Sequence, residues 1–391
     1  MSPWPHQPII SLGTIITGST PKTSEEHFYG GDIPFVTPAE LDQTDPIMNA
    51  ARTLSETGSQ ESRLLPEGTV MVCCIGSLGK VGIAGRTVAS NQQINSVIFD
   101  PKIIWPRFGF YACRLLKSRL EVLAPATTVP IVNKSKFGQL EIPVPPLPEQ
   151  KRIADILDRA EALRAKRRVA LEHLDELTQA IFIDMFGDSV SNPMGWKRYP
   201  LKHCVNHIQI GPFGSLLHKE DYVFGGIPLI NPTHIENGKI VPDVNQSITV
   251  QKLAELQLYQ LQQGDVIMGR RGEMGRCAIV GSEHNGTLCG TGSLFIRPDE
   301  SKAIAMYLQA TLSSESMRKH LEGFSLGATL PNLNRGIVGE LAISLPPIEL
   351  QKEFSHHIES IEKLKTTYKS SLTEIDELFL SLQYRAFRGE L

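Results

Sequence analysis

The sequence predicts an α+β fold: two mixed α/β globules separated by two long antiparallel helices that form a coiled coil, with a pseudo-two-fold internal repeat. Three observations predict it. The stretch from Pro145 to Gly187 opens with Pro145-Pro146-Leu147-Pro148-Glu149-Gln150 and continues as one helical pattern. The same opening signal returns at Pro346-Pro347-Ile348-Glu349-Leu350-Gln351-Lys352. The segment between the two rods replays, piece by piece, the segment before the first.

The first rod carries Ile153, Leu157, Ala160, Leu163, Leu171, Leu174, Ile181 and Met185 at steps of mostly three and four, one face of a helix. Pro148 suits a first turn, where its missing N–H costs nothing, and Glu149 suits the positive end of the dipole. Gly187 is placed to stop the helix. Residues 149–186 would make a rod roughly 57 Å long at 1.5 Å per residue, long for a globular helix and suited to a coiled-coil partner or spacer. The second rod carries Leu350, Phe354, Ile358, Ile361, Leu364, Tyr368, Leu372, Ile375, Leu378 and Leu382, and ends near Phe387-Arg388-Gly389. Asp175-Glu176-Leu177 and Asp376-Glu377-Leu378 match at the same offset as the openings. Two amphipathic helices on separate domains would share the periodicity, but the common length, opening and ending favour duplication. Antiparallel rods would bury each other's stripe at about 25 cal/mol per Å² of apolar area.

Residues 1–146 are rich in turn residues and contain short β-branched runs such as Ile33-Pro34-Phe35-Val36, Val70-Met71-Val72 and Val97-Ile98-Phe99. A helix is expected around Phe110–Val122. Residues 188–195 read as a linker, residues 196–346 as a second globule, and 347–391 as the second rod. Gly31 and Ile33-Pro34 match Gly226-Ile227-Pro228; Gly68-Thr69-Val70-Met71 matches Gly264-Asp265-Val266-Ile267. Ile75-Gly76-Ser77-Leu78-Gly79-Lys80 matches Arg271-Gly272-Glu273-Met274-Gly275-Arg276, and Asn133-Lys134 matches Asn334-Arg335.

At 391 residues the chain has room for two or three well-filled domains. The formal net charge of −3 gives no global basic signature, so nucleic-acid binding would need locally basic surfaces. The six cysteines show no CxxC spacing, which points to free thiols and a cytoplasmic setting. The N-terminus has no secretory pattern and no run is apolar enough for a membrane span.

Enzyme motifs are missing. Gly76-Ser77-Leu78-Gly79-Lys80-Val81 is not a Walker loop, since Cys74 and Val81 stand where the pattern needs other residues. The repeated unit is Gly-x-x-Gly-basic: a tight turn, or a loop bringing backbone and a cation to a phosphate or base edge. GxSxG, HExxH and a Rossmann loop are absent, and Asn231-Pro232-Thr233 is not an amino-methyltransferase motif. His203 and His207 flank Cys204, but Ser11, Leu12 and Ile15 stand there in the first copy, which argues against a metal. The positive features are cationic and amide-bearing tips. Arg270, Arg271 and Arg276 surround the second Gly-x-x-Gly turn, and arginine pairs bidentately with guanine or phosphate. The first copy offers Ser77, Lys80, Arg86 and Asn91-Gln92-Gln93, whose amides can read adenine or cap turns. Gly18–Lys22, ending in the candidate contact Lys22, and Gly211–Ser215, ending in the candidate contact Ser215, read as exposed loops with close-approach glycines. Asn332 and Asn334 complete the candidate contacts. Arg164, Lys166, Arg167 and Arg168 interrupt the first rod and suit either a solvated face or a partner contact.

This pattern resembles the DNA-specificity subunit of type I restriction–modification systems. The resemblance covers essentially the whole chain. Its most specific parts are Ile142–Lys151, Asp184-Met185-Phe186-Gly187-Asp188, Gly30-Gly31-Asp32-Ile33-Pro34 and Arg385-Ala386-Phe387-Arg388-Gly389-Glu390-Leu391. The second opening departs from it, since Ile348-Glu349-Leu350-Gln351 lacks the Pro-Glu-Gln wording. The resemblance implies two target-recognition domains, each reading half of a split site on double-stranded DNA, with the helices as a ruler. It implies no catalysis and no cofactor in this chain. Two modification subunits would bind S-adenosylmethionine and methylate adenine, and restriction subunits would use ATP and magnesium. A self-sufficient methyltransferase or nuclease would need a carboxylate cluster or motif that the sequence lacks. A duplicated non-DNA scaffold would show no salt-sensitive DNA affinity.

Overall fold

The computed structural model describes residues 3–124, 129–272, 274–323 and 333–391, without the Ser215 side chain. Residues 1–169 with 368–391 form one compact unit, and residues 170–367 a second. Each unit therefore takes in a globule and half of each long helix, a different partition from one drawn at the helix starts.

In the first unit β1 (His6–Pro8), α1 (Ile9–Leu12) and β2 (Gly13–Thr17) lead to β3 (Tyr29–Val36), β4 (Thr53–Leu54), α2 (Glu56–Gln60) and β5 (Leu64–Leu65). Then come β6 (Val70–Cys73), β7 (Val81–Ile83), β8 (Val88–Ser90) and β9 (Ile94–Phe99). Helices α3 (Pro106–Arg114), α4 (Lys117–Leu123) and α5 (Lys134–Gly138), strand β10 (Glu141–Pro143) and helix α6 (Leu147–Phe186) follow. The helix expected over Phe110–Val122 is thus two. Leu115 and Leu116 leave the first and turn the chain, so that Leu116 and Leu120 both reach the core.

One antiparallel sheet has the order β2-β9-β6-β7; a second has β4-β3-β8-β5, with β3 and β8 parallel. Strand β6 is buried on both faces. Val70 and Val72 point to the large core that the helices share, while Met71 and Cys73 point to the cluster with Val36, Leu65 and Val88. The short β1–β10 pair ties the start of the globule to the residues before α6.

The second unit repeats this. Its strands are β11 (Arg198–Pro200), β12 (Val205–Ile210), β13 (Ile227–Ile230), β14 (Ile235–Glu236), β15 (Lys239–Ile240) and β16 (Ser247–Ile248), followed by helix α7 (Val250–Glu255). Then come β17 (Val266–Gly269), β18 (Cys277–Ile279), β19 (Leu288–Cys289) and β20 (Ser293–Pro298). Helices α8 (Ala305–Ser313), α9 (Glu315–Gly323) and α10 (Arg335–Gly339), strand β21 (Ala342–Ser344) and helix α11 (Ile348–Ala386) complete the chain. The sheet order β12-β20-β17-β18 matches β2-β9-β6-β7 strand for strand, and β13 pairs parallel with β19 as β3 does with β8. Duplication is therefore written in the topology as well as in the sequence.

Within each unit the long helices run antiparallel. In the first, Arg152 of α6 donates to the Leu391 carbonyl, and twelve residues on Arg164 meets Asp376. In the second, Lys365 meets Asp175, and Phe354 packs against Phe182 and Phe186. Both helices end as the glycines suggest: Gly187 (φ 75°) donates to the Ile183 carbonyl, and Gly389 has φ 72°. The apolar stripe is less continuous than its spacing suggests. Ile153, Leu157 and Ala160 are buried, but Leu163 is 55% and Leu378 52% exposed. A 3.6-residue helix drifts about 20° per heptad, so the inward face moves to Phe182, Phe186 and Phe379, which are buried. Between these ends polar pairs fill the seam. Lys365, itself buried, bridges Asp175 and Glu362.

In each globule one glutamine fixes the start of a long helix. Gln150 is fully buried; its Nε2 donates to the carbonyls of Ile103 and Pro145 (both 2.8 Å), and its Oε1 accepts from the Trp105 amide (2.7 Å). Gln351 does the same to Lys302 (3.0 Å), Pro346 (2.9 Å) and Ile304 (3.1 Å). The glutamine of the Pro-Pro-x-x-x-Gln opening is thus a bolt between the helix start and the loop before α3 or α8.

Candidate nucleic-acid interface

The strand pairing brings several loops to one rim of each globule. In the first, β2 and β6 end where β9 begins, because β9 runs antiparallel to both. The loops after Thr17, Cys73 and Ser90 therefore meet. Gly18 and Ser19 donate to the carbonyls of Ile94 and Ser90, and Cys74 donates to Gln93. A Cβ on Gly18 would lie 2.2 Å from the Asn91 carbonyl oxygen, so only glycine allows this approach. The hairpin after β6 turns on Gly76 (φ 77°) and Gly79 (φ 75°), and is held from outside by Gly76 donating to Pro130 and Val132 to Cys74.

This rim gathers Lys22, Ser77, Gln92 and Gln93, with Asn91 beneath. Lys22, Ser77 and Gln92 are exposed. The Asn91 side chain is buried and engages Gln93 twice, accepting from its amide (3.1 Å) and donating to its Oε1 (2.8 Å), so it caps the turn. Gln93 also donates to the Ile75 carbonyl, and Gln92 accepts from the Thr20 hydroxyl. Lys80 leans on the Pro38 carbonyl at 3.5 Å. Arg86 lies elsewhere. It precedes β8, at the far end from Asn91, and forms an ion pair with Asp32. Sequence proximity to the amide trio is misleading here, since a whole strand separates them.

The second rim has the same frame. Gly211 donates to Ser293, Arg270 to Gly292, Gly290 to Ile230 and Leu333 to Arg270. Gly272 (φ 73°) and Gly275 (φ 83°) turn the hairpin. The expectation of three solvent-facing arginines needs correcting. Arg270 is 6% exposed, occupying the place of buried Cys74 in the first copy. Burial, helped by the neighbouring Arg271 charge, pushes its pKa down. Arg271 is exposed and Arg276 half-buried. Asn334 caps α10 by accepting from the Ile337 amide (2.9 Å), as Asn133 caps α5 at Lys136 (2.9 Å). Asn332 and the Ser215 side chain lie outside the described residues.

The basic run on α6 also needs correcting. Arg164 pairs with Glu161 and Asp376 and stacks on Phe379; Arg168 reaches Asp376 at 3.5 Å; Arg167 lies over Tyr368. These three guanidiniums are directed at the seam with α11, although Arg168, like Lys166, is exposed. Buried Glu161 also holds Arg114, so the run anchors α3 as well as α11. The thiols are buried, and burial pushes Cys74 and Cys113 up to about 12, away from the nucleophilic range. Sequence reasoning did not single out Phe213, which stands 60% exposed on the second rim. Its signal is an aromatic set between Pro212 and Gly214 in a loop that opens and turns on glycine.

A family model described as the type I restriction modification DNA specificity domain matches residues 1–173 and again 209–377. The chain belongs to this family. Its two matches fall on the two halves of the repeat. Among relatives of this specificity-domain chain, the EcoKI specificity subunit of Escherichia coli is 22% identical, covering 99% of this chain and 89% of its own. The MjaVIII specificity subunit of Methanocaldococcus jannaschii is 25% identical over 77% of this chain and 72% of its own. The MjaIX specificity subunit of the same organism is 26% identical, and there the match spans 47% of this chain and 44% of the relative. The fold matches the crystal structure of a type I S subunit from M. genitalium with a TM-score of 0.60 at 17% identity, over 99% of this chain and 96% of the other. A further chain, from work on complex assembly and conformational transition of a type I system, matches at 0.63, also at 17% identity, over 99% and 98%.

Proposed function

We propose that this chain reads a bipartite site on double-stranded DNA, one half with each globule, and directs partner subunits to it. Modification subunits, one for each half of the repeat, would bind S-adenosylmethionine and methylate adenine. Restriction subunits would supply ATP- and magnesium-dependent translocation and cleavage. The chain itself contributes recognition and no catalysis, and acts in the cytoplasm, where the DNA is. One observation carries this reading: two rims with the same strand order and recurring loop bonds present different exposed side chains. Gln92, Ser77 and Lys22 stand on one, Arg271 and Phe213 on the other. A duplicated fold whose copies agree in backbone and differ at their tips is suited to reading two different short sequences.

Methylome sequencing of the host with and without the gene tests it. The expected result is loss of one split methyl-adenine motif. An unchanged methylome, in a host that makes the partner subunits, overturns the proposal. The purified chain mixed with DNA and magnesium alone should leave the DNA intact; cleavage would point instead to a self-sufficient nuclease.

A further inference from the structure

We infer that Phe213 is a specificity-determining residue of the second reader, packing against the C5-methyl group of a thymine in the major groove. The inference rests on the DNA-reading proposed above and names one base chemistry it must include. Gly18 and Gly211 occupy equivalent places: a Cβ on either would run into a carbonyl oxygen of the neighbouring loop, Asn91 at 2.2 Å or Gly290 at 1.9 Å. Two residues beyond stand Thr20 and Phe213. Thr20 is tied down, its hydroxyl donating to Gln92. Phe213 stays out in solvent, although its loop neighbours Leu217 and Tyr222 turn inward against Leu229, Ile248, Leu256 and Leu288. Exposed apolar side chains also occur elsewhere on this unit, Phe224 and Leu258 among them; what sets Phe213 apart is its place on the rim, directly after Gly211 and Pro212.

The loop is built to hold the ring in place. Gly211 is bonded to Ser293 at its base, Pro212 fixes the backbone before the ring, and Gly214 (φ 63°) reverses the chain after it. The Phe213 loop follows β12 and the Gly272–Gly275 hairpin, with exposed Arg271, follows β17, so both leave the same rim on either side of β20. Among the unmodified bases, thymine alone offers a methyl group in the major groove, and an aromatic is one of the side chains that meets it.

The test is a chemical double-mutant cycle on the full chain assembled with its methyltransferase partner. The probe is a duplex carrying the methylated site found by methylome sequencing, with each thymine of the second half-site replaced in turn by deoxyuridine, which lacks only the methyl. Wild type should lose about fourfold in affinity at one position, the size expected for burying one methyl group. Phe213→Ser should be weaker on the natural site and indifferent to deoxyuridine there, while Phe213→Leu should keep part of the dependence. A second half-site without thymine overturns the inference. So does a wild-type complex that binds its site selectively but ignores every deoxyuridine, or a Phe213→Ser variant that keeps the full dependence. A wild-type complex with no sequence-selective binding would overturn the DNA-reading proposal, and this inference with it.

Discussion

Replacing Gln150 by leucine keeps the side-chain volume and removes three hydrogen bonds at once. The residue is fully buried, and its partners are the Trp105 amide and the carbonyls of Ile103 and Pro145. The two carbonyls keep a second lone pair, so the Trp105 N–H is the costliest group to orphan. At about 1 kcal/mol net per bond, with an added penalty for the orphaned donor, the loss is about 3–4 kcal/mol. For a unit of this size each kcal/mol moves the melting temperature by roughly 2–4 °C, which gives a drop of about 6–16 °C in calorimetry of the full chain. Gln351→Leu should cost a similar amount in the other unit, with Ile304 as the orphaned amide. Hydrogen exchange supplies a local readout: the Trp105 amide in one variant and the Ile304 amide in the other should exchange at least a hundredfold faster, since 1.4 kcal/mol is a factor of ten. A melting temperature within 1 °C of wild type, with both amides still protected, would refute the bolt.

Three further outcomes are expected. Arg271→Ala should cost about 1–3 kcal/mol in binding and relax one position of one half-site; an unchanged methylation pattern would remove this exposed arginine from the reading surface. Gly79→Ala should destabilise more than Gly264→Ala in chemical denaturation. Both glycines have positive φ, but a Cβ at Gly79 would lie 2.7 Å from the Lys117 Cβ and 2.8 Å from its Cα, while one at Gly264 meets nothing within 4 Å; equal losses would refute the clash. Partial burial pulls Asp188 upward, but it is outweighed by hydrogen bonds from the Ser191 amide, the Ser316 and Ser191 hydroxyls and the Val190 amide, which hold the carboxyl at about 2. A depressed folded-state pKa stabilises above the unfolded value near 4 and loses that contribution as pH falls toward 2. Asp188→Asn should therefore be less stable at neutral pH and show a flatter acid-unfolding curve in that window; an identical curve would show that Asp188 is not the group responsible.

The architecture was legible because duplication repeats the signals that punctuate it. The Pro-Pro opening, the closing glycines and the Gly-x-x-Gly turn each occur twice, and chance coincidence in one copy is filtered by the other. The middle of the long helices was not legible. Leu163 and Leu378 have the right spacing and face solvent, because a single partner helix covers only part of a drifting stripe, and ion pairs around Glu161, Arg164 and Lys365 fill the remainder. Charge on a helix reads as solvation unless the opposing helix is known. The rim was half legible. Ser77, Gln92 and Lys22 are exposed, as their polar loops suggested, but the sequence could not separate Arg270 from Arg271, because strand β17 ends at Gly269 and alternation sends the next side chain inward. Nor could it tell that Arg86, five residues from Asn91, sits at the other end of a strand.

The paired positions sort by what determines them. Gln150 and Gln351, Asn133 and Asn334, Gly18 and Gly211, and Gly79 and Gly275 are the same residue type in both copies, and each is bonded to or pressed against backbone. Backbone geometry is common to the copies, so these residues answer to the fold and to nothing outside it. Thr20 and Phe213, Cys74 and Arg270, and Ile75 and Arg271 occupy equivalent places and differ in size, the last two pairs in charge as well. The frame does not decide between them, since the bonds of Gly18, Cys74, Asn91 and Val132 on one rim recur at Gly211, Arg270, Gly290 and Leu333 on the other. The difference must then be set by what the rims meet. A buried swap such as Cys74 to Arg270 alters what lies beneath the hairpin, and an exposed one such as Ile75 to Arg271 alters what the hairpin presents. Divergence at such positions changes the partner surface while the bolts, caps and close-approach glycines keep each rim in its place on the long helices.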